Sequence, residues 1–148
     1  MYELRLQRKK SSIPDVVVKK SSDIVPVLRK LYPEGDLWRE TCRAVMLDAA
    51  HSTIGHYLVS TGSADRVIVD VRGICTAAVT SGARAVVICH NHPSGNPRPG
   101  IADLEQTDRL RKALATLDIQ LLDHIILGEK TYFSFNDEME TKYPKKAA

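Results

Sequence analysis

Five short segments of this chain contain apolar residues that run together or alternate with polar ones, which predicts five β-strands. One of them contains the unbroken apolar run Val86 to Cys89, which is typical of a strand that is buried on both faces. Short turns separate the first two segments and the last two, so each of these pairs is expected to form a hairpin. The segments are residues 40–48, 54–60, 84–89, 120–127 and 131–135.

Helical spacing of apolar residues predicts two long helices between these strands and a short helix before them. The long helices are expected at residues 70–81 and 103–117, and Gly82 is placed to end the first of them. The short helix follows the N-cap types at Ser21 to Asp23 and is expected to end at Pro33.

Strands and helices alternate in the middle of the chain, which predicts an α/β fold with a mixed sheet flanked by helices. Crossovers that join parallel strands through residues 84–89 should be right-handed. A length of 148 residues favours a single domain that is large enough to fold without disulfides or a structural metal. Leu4 and Leu6 suggest a short first strand, and Lys9 to Lys20 resembles a basic linker.

The cysteine count and the absence of long apolar runs favour a soluble protein of the cytoplasm. The three cysteines are odd in number and lack C-x-x-C spacing, so we expect reduced thiols. No signal peptide begins at Met1, and no apolar run approaches the roughly 20 residues that a membrane span needs. Contact with a membrane is therefore not expected.

Basic residues are concentrated at the two ends of the chain, although the formal net charge is only +3. Residues 1–20 carry six lysines and arginines against two acidic residues, and three more lysines lie among the last seven residues. The remainder is net acidic, which gives little support for a DNA-binding groove in the folded domain. We expect solvated tails, and the sequence leaves open nonspecific DNA contact through them and homo-oligomerisation.

Metal-capable side chains are concentrated in residues 89–103, which read CHNHPSGNPRPGIAD. His90 and His92 are two positions apart, so an extended backbone directs both imidazoles towards one point. Asp103 lies at the start of a predicted helix, and the two histidines lie at the end of a predicted strand. Two imidazoles and a carboxylate leave a fourth tetrahedral position for water, which is the pattern of catalytic zinc. The alternative is that Asp103 serves only as a helix N-cap.

This segment resembles the JAMM signature of the JAB/MPN metalloprotease superfamily, which is His-x-His, seven residues, Ser, two residues and Asp. The wording HNHPSG resembles the bacterial RadC-like branch of that superfamily. One position departs from the pattern, because Gly100 stands where the family has serine. The similarity covers about residues 40–135, and three further phrases carry it: ETCRAVMLD from Glu40, STG at residues 60–62, and LLDHIILG at residues 121–128.

The resemblance implies a three-layer fold, related in outline to the cytidine deaminases, and hydrolysis of a peptide or isopeptide bond in an unknown protein substrate. It implies one Zn²⁺ per chain, held by His90, His92 and Asp103. Glu40 matches the family's acid/base glutamate, although a solvent-facing carboxylate beside Arg39 is the alternative. H-x-E with P-C-x-x-C is absent, and so is H-E-x-x-H, which excludes a zinc deaminase site and a helix-borne metalloprotease site.

The family's serine helps to hold the developing oxyanion, and Gly100 has no hydroxyl to offer. The backbone N–H of Gly100 and the hydroxyl of Ser94 are the two candidate substitutes. Asp123 and His124 lie within an apolar strand, where they form either a mutually satisfied core pair or a pair that orients the zinc ligands. The core pair is the favoured interpretation from the sequence alone.

The resemblance divides the chain into an N-terminal extension at residues 1–39, a RadC-like domain at 40–136 and a basic tail at 137–148. Residues 1–39 are too few and too poor in glycine for the helix-hairpin-helix region that often precedes RadC-like domains, so a catalytic domain alone is expected. The alternative to an enzyme is a RadC-like accessory module in DNA repair or mobile-element biology. Such a module would bind DNA or protein without efficient catalysis, which Gly100 and the basic ends favour.

Overall fold

Three helices and six strands make up the described part of this computed structural model, which comprises residues 1–3, 7–32, 38–62 and 69–143. No helix in these ranges is long and apolar enough to cross a membrane. The helices are α1 (Ser21–Leu31), α2 (Val71–Ser81) and α3 (Ile101–Ala115). The strands are β1 (Thr41–Leu47), β2 (Thr53–Thr61), β3 (Ala85–Asn91), β4 (Gln120–Leu127), β5 (Thr131–Ser134) and β6 (Met139–Lys142).

The strands form one mixed sheet with the order β2-β1-β3-β4-β5-β6, which confirms the predicted α/β fold. Strands β3 and β4 are parallel and are connected through α3, while every other neighbouring pair is antiparallel. The predicted hairpins β1-β2 and β4-β5 are both present. All seven residues of β3 are buried, as its unbroken apolar run predicts for a strand between two neighbours and two helical layers.

Helices cover both faces of the sheet and produce three layers. On one face, Ile24 and Leu28 of α1 pack with Val87 of β3 in one core cluster. On the other face, Leu110 of α3 packs with Ile88 of β3 in a second cluster that also contains residues of α2. Val87 and Ile88 are adjacent and enter opposite clusters because successive side chains of a strand point to opposite faces. This alternation decides which strand residues can reach the candidate site.

The helix ends follow the local chemistry of the sequence. Asp70 caps α2 by accepting a hydrogen bond from the backbone N–H of Gly73 at 3.0 Å, and Gly82 ends the helix in the left-handed region with φ of 75°. Helix α3 begins before Asp103, with Gly100 as its N-cap and Asp103 as its third residue. Asp103 is therefore not the N-cap residue itself, but its carboxylate accepts a hydrogen bond from the N–H of Gly100 and so helps to cap the helix.

The two ends of the chain differ in part from the sequence-based expectations. Residues Met139–Lys142, which we assigned to a basic tail, form β6 because they pair with β5 at the edge of the sheet. In the N-terminal extension, Val17 forms a bridge to Ser52, which lies before β2. The predicted strand at Leu4 and Leu6, the predicted helix stop at Pro33 and the last five residues lie outside the described residues.

Candidate metal centre

Four side chains that can bind a metal ion converge at the end of β3. Glu40, His90, His92 and Asp103 each offer one ligand atom, and these atoms lie within 4.8 Å of one another. Nε2 of His90 is 3.2 Å from Oδ1 of Asp103 and 3.6 Å from Oε1 of Glu40. Nε2 of His92 is 3.6 Å from Oδ2 of Asp103. The cluster is largely buried, since only His92 among the four is more than slightly exposed.

Two neighbouring strands and one helix bring these residues together. His90 of β3 lies opposite Cys42 of β1, and Glu40 is two positions before Cys42. Because positions two apart in a strand share a face, Glu40 and His90 are directed to the same side of the sheet. That side is covered by α3, whose first turn supplies Asp103.

Hydrogen bonds to the surrounding backbone hold the imidazole of His92 in position. The N–H of His92 donates to the carbonyl of Leu127 at 2.9 Å, which holds the loop after β3 against the end of β4. Nδ1 of His92 is 2.7 Å from the carbonyl oxygen of Asn96. A carbonyl only accepts hydrogen bonds, so the ring carries a proton on Nδ1 and Nε2 faces the cluster.

The spacing of the ligand atoms fits a single metal ion. Ligands at about 2.0–2.1 Å from a tetrahedral metal are separated by about 3.3–3.4 Å. Nε2 of His90 lies 3.0 Å from Nε2 of His92, and the separations from His90 to Asp103 and Glu40 bracket the same range. Two imidazoles and two carboxylates that face one point are all acceptors unless a cation or a proton lies between them. The donor set therefore suggests a bound metal ion.

The charges of the cluster also favour a cation. Burial by itself raises the pKa of Asp103, but its hydrogen bonds with His90 and His92 outweigh burial and hold that pKa well below its ordinary value. Burial lowers the pKa of His92, yet the hydrogen bonds to Asp103 and to the Asn96 carbonyl outweigh it, and the net pKa is raised. Asp103 is therefore ionised at neutral pH, and positive charge is stabilised beside it.

Asn91 holds the backbone on both sides of Glu40, a role that no sequence pattern predicted. Its Oδ1 accepts a hydrogen bond from the N–H of Thr41 at 2.9 Å, and its Nδ2 donates to the carbonyl of Arg39 at 2.8 Å. The side chain is buried at 2% exposure. The one signal in the sequence is its position between the two histidines, at the end of a strand whose first five residues are apolar.

Asp123 and His124 do not form the core pair that we favoured, because adjacent residues of a strand face opposite sides of the sheet. Their side chains therefore do not pair. The carboxylate of Asp123 accepts hydrogen bonds from the Ser134 hydroxyl at 2.7 Å, from the backbone N–H of Asn136 at 3.0 Å and from the backbone N–H of His124 at 2.7 Å. Burial outweighs these hydrogen bonds and raises the pKa of Asp123 to about 6.

His124 lies directly behind the candidate metal ligand His90. Its Nε2 is 2.8 Å from Nδ1 of His90, and its Nδ1 is 2.6 Å from Oγ1 of Thr107. Burial, followed by the charge of His90, lowers the pKa of His124 well below its ordinary value, so the ring is neutral. Thr107 belongs to α3 and is also buried. Nothing in the sequence pattern singled it out.

The two substitutes for the family's serine have other partners. The N–H of Gly100 donates to Oδ2 of Asp103 at 2.7 Å, so its single hydrogen supports that carboxylate and is not free for an oxyanion. The hydroxyl of Ser94 is exposed and accepts a hydrogen bond from the N–H of Asn96 at 3.4 Å. The expectation for Gly100 therefore does not fit this geometry.

Comparison with known proteins places nearly the whole sheet and the cluster in one family. The family model described as RadC-like JAB domain matches residues 18–141. The chain is 34% identical over 136 residues to a UPF0758 protein of Thermotoga maritima, which covers 92% of this chain and 60% of the relative. UPF0758 proteins of Shewanella baltica and Aquifex aeolicus are each 40% identical, over 65% and 68% of this chain respectively.

These alignments cover a limited part of the relatives themselves. The chain spans 60% of the Thermotoga protein and 43% of the other two. The match to the family model, in contrast, includes every strand of the sheet except the last residue of β6, and all four residues of the cluster. This chain belongs to the RadC-like JAB domain family.

Proposed function

We propose that this chain is a zinc-dependent hydrolase of peptide or isopeptide bonds. In this proposal His90, His92 and Asp103 hold one zinc ion, and Glu40 is the general acid and base. The convergence of these four side chains within 4.8 Å is the observation that carries the proposal. Membership in the RadC-like JAB domain family supports it, because the matched residues include all four.

The protein's own residues provide proton transfer and orientation. A zinc ion, when bound, lowers the pKa of water from 15.7 towards about 7 and polarises the carbonyl under attack. Glu40 accepts a proton from the attacking water and delivers it to the leaving amine. Its carboxylate lies 3.6 Å from Nε2 of His90 and is mostly buried, which supports this role. Asn91 fixes the peptide groups on either side of it.

Gly100 lowers the catalytic power that we expect from this site. One hydrogen-bond donor to an oxyanion contributes about 2.7–4 kcal/mol in comparable enzymes. The N–H of Gly100 is directed at Asp103, and glycine has no hydroxyl. We therefore expect turnover to be slow, while metal binding is unaffected.

The acid/base role of Glu40 is tested by Glu40→Gln in zinc-loaded protein, with hydrolysis of peptide and isopeptide reporters as the readout. The variant should lose cleavage and keep zinc, because Gln preserves the shape of the side chain without its proton-accepting charge. Glu105→Gln, on the exposed surface of α3, is the matched control and should behave like the unmodified chain. Loss of zinc in Glu40→Gln would instead make Glu40 a fourth ligand of a closed structural site.

We also place the protein in the cytoplasm. All three cysteines are free, and Cys42 and Cys89 are buried. Burial raises the pKa of Cys42 to about 12 and also raises that of Cys89, so both remain protonated thiols. Such thiols are typical of a reducing compartment.

A second function, nonspecific binding of DNA by a RadC-like accessory module, is favoured by a basic groove. An open groove of about 1160 Å³ lies between the N-terminal segment, β2 and α2. Arg8, Lys9, Lys10 and Lys30 line it, with Asp15 as an opposing charge. A groove of this charge attracts a phosphodiester backbone without reading its sequence.

The DNA-binding proposal is tested by measuring the affinity for duplex DNA over a range of salt concentrations. Simultaneous substitution of Arg8, Lys9 and Lys10 by glutamine should weaken binding to all sequences and reduce the slope of log K against log salt. His92→Ala should leave both unchanged. Binding that is independent of salt, or that depends on His92 and not on the basic groove, would contradict this second function.

A further inference from the structure

We propose that Thr107 fixes, through His124, which nitrogen of His90 carries its proton. Thr107 and His124 would then be positioning residues that keep Nε2 of His90 available as a metal ligand. The expected effect on metal binding rests on the proposed metal site, whereas the proton positions can be measured in metal-free protein.

A continuous series of buried hydrogen bonds connects the candidate ligands His90 and Asp103 through His124 and Thr107. Nδ1 of His90 is 2.8 Å from Nε2 of His124, and Nδ1 of His124 is 2.6 Å from Oγ1 of Thr107. Oγ1 of Thr107 is in turn 2.5 Å from the backbone carbonyl oxygen of Asp103. His90, His124 and Thr107 are each at most 2% exposed, so water does not compete for these contacts.

The direction of every hydrogen bond in this series follows from its last acceptor, the backbone carbonyl of Asp103. The carbonyl of Asp103 can only accept, so the single hydroxyl hydrogen of Thr107 is donated to it. Oγ1 of Thr107 must then accept from His124, which places a proton on Nδ1 of that ring. With its one N–H directed at Thr107, the His124 ring presents the lone pair of Nε2 to His90, so Nε2 of His124 accepts from Nδ1 of His90. Nε2 of His90 is left to face the cluster with its lone pair.

The opposite direction would disable the site. If Thr107 donated to His124, its oxygen and the carbonyl oxygen of Asp103 would be two acceptors at 2.5 Å with no hydrogen between them. His124 would then carry its proton on Nε2 and donate to Nδ1 of His90. A neutral His90 in that arrangement has its proton on Nε2, where it blocks metal binding.

The position of the His124 ring is also restrained by packing. The ring stacks on Phe135 with centroids 4.5 Å apart and an interplanar angle of 8°. This stacking fixes the plane of the imidazole, so both of its nitrogens are held in line with their partners. Asp103 and Thr107 lie one turn apart on α3. The backbone carbonyl of Asp103, one candidate ligand, therefore orients His90, another candidate ligand, through Thr107 and His124.

The experiment compares the unmodified chain with Thr107→Val and Thr107→Ser by side-chain ¹H–¹⁵N correlation spectra and by chelator competition for zinc. Valine keeps the shape of threonine without the hydroxyl, whereas serine keeps the hydroxyl. In the unmodified metal-free chain, His124 should carry its proton on Nδ1 and not on Nε2. Thr107→Ser should preserve this pattern, and Thr107→Val should lose it and bind zinc about 10- to 100-fold more weakly.

Thr80→Val is the matched control, because Thr80 makes the same type of hydroxyl contact on α2, 2.6 Å from the carbonyl of Thr76, without a histidine partner. It should leave the spectra and the zinc affinity unchanged. A proton on Nε2 of His124 in the unmodified chain would overturn the inference, as would wild-type zinc affinity in folded Thr107→Val. Failure of the proposed hydrolase appears separately, as absence of cleavage or zinc binding with the metal-free spectrum intact.

Discussion

Nε2 of His90 and Nε2 of His92 face each other at 3.0 Å, beside the carboxylates of Glu40 and Asp103. The proton of His92 lies on the other side of its ring, against the carbonyl of Asn96. Facing acceptors repel one another unless positive charge lies between them. The two facing histidine nitrogens therefore support the central claim, which is that a divalent cation binds between these four side chains.

Restoring the family's serine should raise activity. Gly100 has an extended backbone with φ of −87°, and among the described residues an added Cβ would meet only Oδ2 of Asp103, at an ordinary 3.6 Å. Gly100→Ser is therefore sterically tolerated and provides a hydroxyl at the start of α3. Since loss of one oxyanion donor costs about 10²–10³ in kcat elsewhere, we expect a gain of at least about tenfold in kcat, measured with zinc-loaded protein.

Gly100→Ala separates the effect of the hydroxyl on kcat from the effect of the reduced backbone freedom of the unfolded chain. Alanine restricts the unfolded chain much as serine does, but it donates no hydrogen bond. It should leave kcat unchanged and alter the free energy of unfolding by less than about 1 kcal/mol. An equal increase in kcat for both variants, or an increase for neither, would count against the role assigned to the missing serine.

Removing the side chain of Asn91 should reduce catalysis without removing the metal. Asn91→Ala leaves the N–H of Thr41 and the carbonyl of Arg39 without their hydrogen bonds. We expect a loss of about 1–3 kcal/mol in the free energy of unfolding and a lower kcat, because the backbone that carries Glu40 is no longer fixed. Unfolding, steady-state kinetics and zinc content measure the three effects.

Asn136→Ala is the control for that substitution, since Asn136 is exposed and its side-chain amide contacts only Asp137 in the described part of the chain. It should leave kcat unchanged. If Asn91→Ala lost its zinc together with its activity, Asn91 would be supporting the histidines rather than Glu40.

Asp123 should make the protein less stable as the pH rises. Burial raises the pKa of its folded-state carboxyl to about 6, from an ordinary 3.8. The folded state therefore favours the protonated form, and this stability is fully present below about pH 4 and is lost as the pH rises through 6. Asp123→Asn removes the titration, so between pH 4 and pH 7 the variant should gain about 2–3 kcal/mol relative to the unmodified chain.

Urea unfolding of both metal-free proteins at several pH values measures that difference. Other titrating groups cancel in the comparison, because they are common to the two chains. A difference in the free energy of unfolding that stays constant from pH 4 to pH 7 would show that burial does not raise the pKa of Asp123.

The sequence predicted those features that depend on local pattern. Three of the four clustered residues lie within residues 89–103, so a strand, a loop and a helix start were sufficient to bring them near one another. The apolar run of β3 and Gly82, which ends α2, were likewise visible as local signals. Glu40 was identified only through the resemblance, because its distance from His90 depends on the pairing of β1 with β3.

Contacts between distant elements could not be predicted in this way. Thr107 reaches His124 across 17 positions, so this contact depends on how α3 packs against β4. Asn91 reaches Arg39 across 52 positions, and that contact depends on the pairing of β1 with β3. β6 is mostly exposed and lacks apolar alternation, which made its residues indistinguishable from a solvated tail. The error over Asp123 and His124 was avoidable, because the twofold period of a strand separates adjacent side chains.

Elemental analysis of the purified chain tests the central claim most directly. We predict about one divalent metal ion per chain, lost in His92→Ala and retained in His56→Ala, which alters an exposed histidine of β2. Unmodified protein that remains free of metal after incubation with zinc, or His92→Ala protein that binds zinc as tightly as the unmodified chain, would contradict the account.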